Sequence, residues 1–367
     1  MADHSLLGPR PFASLADYRA ATGAAAVALA RASSPAATLA AVAESGLRGR
    51  GGAGFPAGTK WRSIAAHPCP VRAVICNAAE GEPGTFKDRW LIRHNPYAVL
   101  EGLLIAAHAV AARAIYIALK ASFEREIARL IDALAELQAA GVLGEIPVTI
   151  ARGPEEYLFG EEKALLEVIE GNAPLPRVLP PYEHGLFATA PQVGWEAHEP
   201  EPGHRGRHQS NPTLVNNVET LSNVPHILNR GAEWFRSMGT ERSPGNVVVT
   251  VVGDVERAGV SEVELGTPLA EVIEAVGGGV APGRQVKAVF SGVATPVLTG
   301  DKLDTPLTYE ALGEAGAGLG AAGFIVYDDT ACMVEVARQF SRFLWIESCG
   351  QCPPCKLGSE AITQQLT

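Results

Sequence analysis

Apolar positions recur at helical spacing through the Ala-rich stretch from about Leu15 to Ser45, which predicts helix there. Glycines then dominate from Gly46 to Gly58, a loop rather than an element. The run Arg72-Ala-Val-Ile-Cys76 predicts a short buried strand, and the polar cluster Asn77 to Thr85 after it has the pattern of a strand tip that presents ligand-binding groups. Leu103 to Leu119 is the longest apolar stretch, but His108 and Arg113 cut it. It predicts a buried helix followed by the strand Ala114-Ile-Tyr-Ile-Ala-Leu119, not direct membrane insertion. Helix and short strand alternate as far as Ile150, the pattern of a parallel α/β sheet. From Tyr157 to Glu170, apolar residues at Leu165, Leu166 and Ile169 predict an amphipathic helix with acidic residues at its start.

This order breaks from Thr189 to Gln209, rich in Pro, Gly and Glu, which predicts an exposed loop. Its histidines, His198, His204 and His208, are too irregularly spaced to favour a metal site over a solvated insertion. Near Ser243 a second pattern begins, with a strong β run over Gly245 to Gly253 and a helix from Thr267 to Gly277 that ends in glycines, as in a small α+β module. After Asp328 the pattern is helical again, from Ala331 to Trp345. A chain of 367 residues exceeds the size at which one core stops growing, about 250–300 residues, so more than one domain is expected. The division predicted is 1–240, 241–328 and 329–367.

Charge and cysteine usage narrow the function. A net charge of −10 with no cluster of Lys and Arg argues against nucleic acid as a partner. Six cysteines, three of them bunched, point to a reducing compartment and metal ligation rather than a disulfide framework. The start Met-Ala-Asp-His-Ser lacks the basic segment of a secretory signal, so a cytoplasmic protein, peripheral to any membrane complex, is expected.

Two motifs carry chemistry. Cys349, Cys352 and Cys355 have successive two-residue spacings, which let three thiolates converge on an iron–sulfur cluster or, equally on spacing alone, on zinc. No cysteine follows before Thr367, so the fourth ligand of a cubane is expected from a longer chain or another group, or the cluster is incomplete or labile. Cys69, Cys76 and Cys332 are expected to be free core thiols. Gly46-Leu-Arg-Gly-Arg-Gly-Gly-Ala-Gly-Phe-Pro56 is dense enough in glycine for backbone N–H groups to approach phosphate oxygens, and Arg48, Arg50 and Lys60 add positive charge nearby. The spacing is not the usual dinucleotide fingerprint, because no clear strand precedes this loop, and a plain flexible turn is the competing reading. Asn216-Asn217 reads as a ligand-fixing pair or as a helix-start turn, and Glu161-Glu162 as ligand contacts or as first-turn acids.

These motifs resemble those of the flavin-binding 51 kDa subunit of respiratory NADH dehydrogenase and its relatives in hydrogenases and formate dehydrogenases. The resemblance runs from about Leu39 onward, through the glycine loop with Lys60-Trp61, Asn77 to Arg89, Gly160-Glu161-Glu162, Asn216 to Thr220 and Glu347-Ser-Cys-Gly-Gln-Cys352. It implies a Rossmann-like flavin domain, a small β-grasp, SLBB-like α+β domain acting as a spacer, and a C-terminal helical iron–sulfur domain. It implies hydride transfer from NADH to FMN, then single electrons to a [4Fe-4S] cluster held by Cys349, Cys352 and Cys355. Gly49, Arg50, Gly51 and Gly52 with Lys60 would hold the FMN phosphate and nearby cofactor edge, and Phe55 would stack on NADH. Asn77, Asn216 and Asn217 would fix the isoalloxazine or ribityl chain. Glu80 and Glu82 would approach the cofactors, and Tyr157, Gly160, Glu161 and Glu162 would lie beside the flavin and the NADH ribose. A [2Fe-2S] subunit of thioredoxin-like or ferredoxin-like fold, within a larger redox complex, is implied as partner.

The chain departs from the family pattern at Ala79 in place of Asp, Gly81 in place of Ser, Ser63 in place of an aromatic, Gly153-Pro-Glu-Glu-Tyr157 in place of Gly-Ala-Gly-Ala-Tyr, and Lys163 in place of Thr. These departures favour a rival, a flavin-binding relay or scaffold subunit with weakened or lost NADH binding. A zinc-stabilised assembly factor without flavin is a second rival, which the retained glycine loop, Lys60 and Asn77 count against.

Overall fold

The computed structural model describes residues 6–23, 25–190 and 209–367. The predicted loop at 189–209, with His198, His204 and His208, lies almost wholly outside the described residues. The described residues form two sheets, the helices packed on them, and a terminal helix pair.

Strands β1 (Ala73–Asn77), β2 (Ala114–Lys120), β3 (Val148–Gly153) and β4 (Thr213–Asn217) form a parallel sheet in the order β3-β2-β1-β4. Parallel pairing buries both faces, and β1 and β4 accordingly read as apolar runs that turn polar only at their ends. The long apolar stretch resolves into the helix Pro96–Ala109 and β2. That helix is capped by Asn95, whose side chain accepts from the Ala98 N–H, and is buried around almost its whole circumference. It crosses the helix Val218–Arg230 so closely that a Cβ on Gly102 would stand 2.0 Å from the Leu221 carbonyl oxygen. Between Leu15 and Glu44 the Ala-rich stretch forms three helices, Leu15–Thr22, Ala26–Ala32 and Pro35–Glu44, the first ending at Gly23 and the last two parted by Ser33-Ser34. The predicted helix from Tyr157 is also divided. A 3-10 turn at Tyr157–Gly160 precedes the helix Glu162–Ile169, because Glu161 caps the helix by accepting from Lys163 and Ala164 N–H groups, each at 3.0 Å.

The second sheet runs β6-β5-β9-β7-β8, from β5 (Asn246–Gly253), β6 (Gly259–Glu264), β7 (Val286–Phe290), β8 (Leu298–Thr299) and β9 (Gly323–Asp328). Here β5 and β9 pair in parallel, and the other pairings are antiparallel. The helix Leu269–Gly277 covers one face. Buried acceptors tie the second sheet to the rest: the Val248 N–H of β5 donates to Glu219 of the helix Val218–Arg230 at 2.8 Å, and the Leu6 N–H to Glu262 of β6 at 3.0 Å. Arg48 reaches Glu310, which also accepts from Ser243. Burial opposes ionisation of Glu310, but the hydrogen bonds from Ser243 and Arg48 outweigh it and hold its pKa below the ordinary carboxylate value of 4.5. A depressed folded-state pKa contributes stability above that value, and the contribution is lost as pH falls through the folded pKa. The thermal midpoint is therefore expected to fall as pH is lowered below 4.5, and Glu310→Gln to reduce that dependence.

The chain closes with the helices Met333–Glu347 and Pro353–Gln365, packed against each other, with the cysteine run at the turn between them. Among the described residues, no helix is long and apolar enough to cross a membrane. Of the cysteines expected in the core, only Cys76 is buried there, and burial pushes its thiol pKa up. Cys69 is half-buried, and Cys332 is exposed at the start of a helix, because the segment before Met333 has already left the second sheet.

Candidate functional site

A cleft of about 680 Å³ opens at the C-terminal ends of β1 and β4, where parallel sheets expose strand-tip side chains and free backbone groups. One wall is the glycine loop; the helix Ala57–Ala66 adds Thr59, Lys60 and Ser63; Gly160, Glu161 and the first residue of the helix Glu162–Ile169 add to it. Asn77, Asn216 and Asn217 form the floor, with Asn77 beside Asn217 in the strand register.

Each asparagine is fixed by its own bonds. Asn77 donates from Nδ2 to the Gly160 carbonyl at 2.8 Å and accepts at Oδ1 from the Ala79 N–H at 3.2 Å. Asn216 accepts from the indole N–H of the fully buried Trp61 at 2.7 Å. Asn217 caps the helix Val218–Arg230 by accepting from the Glu219 N–H at 3.0 Å, so the pair is both a helix start and a cleft floor. A Cβ on Gly51 would lie 3.2 Å from the Asn217 Cβ, so glycine is what lets the loop lie this close to the strand tip. Lys60 brings a cation to the cleft wall, and its Nζ lies 2.6 Å from a Glu162 carboxylate oxygen.

Of the residues singled out from sequence, Gly49, Gly51, Phe55, Lys60, Asn77, Gly160, Glu161, Glu162, Asn216 and Asn217 line this cleft. Gly52 is half-buried at the loop's turn. Arg50 faces away: its N–H donates to Thr220 Oγ1 at 2.8 Å, while its guanidinium reaches the Pro244 carbonyl at 3.1 Å and the Tyr309 hydroxyl at 3.2 Å. Arg48 stacks over the Tyr309 ring, 3.9 Å from its centroid. Both arginines thus bind the loop to Pro244 and to the helix Tyr309–Glu314 instead of adding charge to the cleft, and Tyr309 completes the support by donating to the Gly49 carbonyl at 2.9 Å. Glu80 is buried and accepts from the Asp88 N–H at 3.0 Å and from Arg89 Nε at 2.9 Å; burial, then the nearby Asp88, pushes its pKa up. Glu82 accepts from the Tyr157 hydroxyl and from the Val293 N–H at 2.7 Å. Tyr157 also donates its backbone N–H to Glu347 at 3.0 Å, and burial followed by Glu82 raises its pKa. Glu82 and Tyr157 therefore join the parallel sheet, the second sheet and the cysteine-bearing helix at one point.

Sequence reasoning gave no role to Tyr182, which follows two prolines and lends the cleft an aromatic ring near half exposure, like Phe55. An aromatic set in a proline-rich loop, where no element would bury it, is the signal that could have found it.

The helix before the cysteine run is tied to Tyr157, three residues ahead of the cleft-lining Gly160. Cys352 begins the helix Pro353–Gln365 and Cys355 sits in its first turn; Gln351 donates to the Pro176 carbonyl at 3.0 Å and so ties the run to the segment that follows the helix Glu162–Ile169. All three thiols are free, Cys349 half-buried and the other two exposed. Among the described residues, no three His, Cys, Asp or Glu side chains are gathered as a metal site. The donor chemistry nevertheless fits an iron–sulfur cluster, since three closely spaced thiols are its usual ligands.

A parallel sheet with a glycine-walled, amide-floored cleft at its strand tips, joined to a thiol-bearing helix pair, is the architecture of a cofactor-binding α/β protein with a cysteine-rich segment attached. The chain belongs to the family of the 51 kDa flavin subunit of NADH dehydrogenases. The family model described as the Nuo51 FMN-binding domain matches residues 42–226, the SLBB domain matches 248–296, and the NADH-ubiquinone oxidoreductase-F iron-sulfur binding region matches 335–367. The F 2 subunit of NADH-quinone oxidoreductase from Rhizobium meliloti is 40% identical over 328 residues, 86% of this chain and 73% of that protein. The NADP-reducing hydrogenase subunit HndC of Solidesulfovibrio fructosivorans is 34% identical, over 96% of this chain and 70% of its own length. A crystal structure of an NAD+-reducing NiFe hydrogenase in the H2-reduced state superposes with a TM-score of 0.79 at 35% identity, over 92% of this chain and 54% of the hydrogenase chain. This chain thus spans about half of that solved chain.

Proposed function

We propose that the chain is an NADH-oxidising flavoprotein subunit that binds FMN in the cleft and passes electrons to a [4Fe-4S] cluster at Cys349, Cys352 and Cys355. The observation that carries this reading is the convergence of the glycine loop, Lys60 and three fixed asparagine amides on one cleft. The residues fit FMN: the loop lines the cleft with Gly49, Gly51 and Gly54, where no Cβ stands between the backbone and a phosphate, Lys60 supplies positive charge, and the amides offer donors and acceptors to a polar chain or ring edge. When bound, FMN supplies a hydride acceptor able to release electrons singly. The protein's part is placement. Phe55 and Tyr182 offer aromatic faces to a nicotinamide dinucleotide, and Asn77, fixed by Gly160, sets the geometry of the floor. Tyr157 and Glu82 keep the cysteine helix in a fixed relation to the cleft.

The division into units at 1–240, 241–328 and 329–367 forms part of this proposal, as do a [2Fe-2S] partner subunit of thioredoxin-like or ferredoxin-like fold to receive the electrons and a cytoplasmic location peripheral to a membrane complex. The relay rival draws on Ser63, a small hydroxyl in the cleft wall where the family pattern has an aromatic. Tyr182 supplies an aromatic face in the same cleft and weighs toward NADH binding.

An anaerobic visible spectrum, taken before and after NADH is added, tests the reading. Flavin bands that bleach with NADH are expected; bands that bleach only with dithionite would favour the relay, and protein that takes up no flavin would sink both. Lys60→Ala is expected to raise the FMN dissociation constant about tenfold, measured by quenching of flavin fluorescence, because a charge-assisted contact to phosphate is lost.

A further inference from the structure

Behind the cleft floor lies a set of buried charges that the cofactor contacts do not use. Lys87 is fully buried, its Nζ 2.8 Å from Asp88 Oδ1 and 2.9 Å from Glu219 Oε2, and the side chain of Glu219 is equally inaccessible. Arg50, 2% exposed, adds a second positive charge near Glu219, so two cations face two carboxylates away from water. Burial opposes the charge on Lys87, but Asp88 and Glu219 more than offset it and raise its pKa.

Ion pairs taken out of water add little net stability compared with apolar packing, so their geometry is the more informative property. Here the geometry ends on one side chain. Lys87 Nζ donates to Asn217 Oδ1 at 3.1 Å, and Asn217 Nδ2 donates to Asp88 Oδ2 at 2.6 Å. Donor and acceptor ends of that amide are each matched to a charge of the proper sign, so a flipped amide would set its NH2 against the ammonium and its oxygen against a carboxylate. A Cβ on Gly51 would come within 3.2 Å of the Asn217 Cβ, so the loop passes close to this residue, and the Arg50 N–H is held by Thr220 one turn into the helix that Asn217 caps.

We propose that Lys87, clasped by Asp88 and Glu219, is a positioning residue that locks the Asn217 amide and, through it, the glycine loop, so that the cleft is formed before its phosphate-bearing ligand arrives. This rests on the flavin reading above. A preformed site binds without the cost of ordering its own loop, and the gain appears as affinity.

A double-mutant cycle on FMN binding tests the proposal, using the full chain and fluorescence quenching by added FMN. Lys87→Met keeps the chain length and removes the donor; it is expected to raise the FMN dissociation constant about tenfold. Asn217→Ala is expected to have a similar effect. Because Lys87 acts through Asn217, the double variant should bind no more weakly than Asn217→Ala alone, whereas a general structural role would make the two losses multiply. Should Lys87→Met fail to fold, Asp88→Asn replaces it in the same cycle, with an expected rise of about threefold that disappears in the Asn217→Ala background. Unchanged affinity in the folded single variant, or losses that multiply, would overturn the positioning role while leaving the flavin reading intact. Wild-type protein that binds no FMN would overturn both.

Discussion

Gly102→Val is expected to destabilise the protein more than any substitution at the cleft, lowering the thermal midpoint by roughly 5–10 °C or preventing folding. An alanine in place of a helical glycine ordinarily gains about 1 kcal/mol. At Gly102 the sign reverses even for alanine, since the new Cβ would meet the Leu221 carbonyl oxygen at 2.0 Å, and a backbone atom cannot turn aside as a side chain can. Separating the helices Pro96–Ala109 and Val218–Arg230 would also open the core shared by Leu103, Leu100 and Leu221, and overpacking of this kind costs about 3 kcal/mol. A thermal scan of Gly102→Ala beside Gly358→Ala checks the argument, because a Cβ at Gly358 meets nothing within 4 Å. The first should melt below wild type and the second at or above it; equal midpoints would show that the helix crossing relaxes freely.

Cys352→Ser is expected to abolish the cluster's visible absorption and its bound iron while leaving FMN in place. Serine retains a hydroxyl but loses the soft thiolate that iron–sulfur clusters select. The flavin site stands on β1, β4 and the glycine loop, none of which includes Cys352, so the two cofactors should be lost independently. Iron analysis and the flavin spectrum of one preparation decide the matter. Loss of both cofactors would mean that the cysteine turn, through Gln351 and Pro176, supports the cleft more than the fold indicates.

Much of this arrangement was legible in the residue order because it is local. A short apolar run turning polar at Asn77, a glycine-dense loop and a paired asparagine before a helical pattern each state their own conformation. The division of the Tyr157–Glu170 segment was not, since whether Glu161 caps or continues a helix depends on the turn before it. Nor was the direction of Arg48 and Arg50. Their charge suggested phosphate, but their partners, Glu310, Tyr309 and Pro244, lie about two hundred residues further along the chain or more, beyond the reach of any local pattern. Lys87 is the sharpest case, because a lysine in a polar sequence context reads as a surface residue until the two carboxylates beside it are seen to be buried as well.

The bonds that tie the second sheet to the rest bear on how such a chain could be rearranged over evolution. Glu219 serves the cleft network with one carboxylate oxygen and the first strand of the second sheet with the other, while Glu262 of that second sheet holds the N–H groups of Leu6 and Leu7. A recombination event that exchanged the second sheet for an unrelated module would leave one lobe of Glu219 dry and unpaired and would release the start of the chain. The flavin fold here is thus not a cassette to be transplanted by cutting near residue 240. A successful chimera would carry its own second sheet with it, or bring a new backbone donor to the place now taken by Val248.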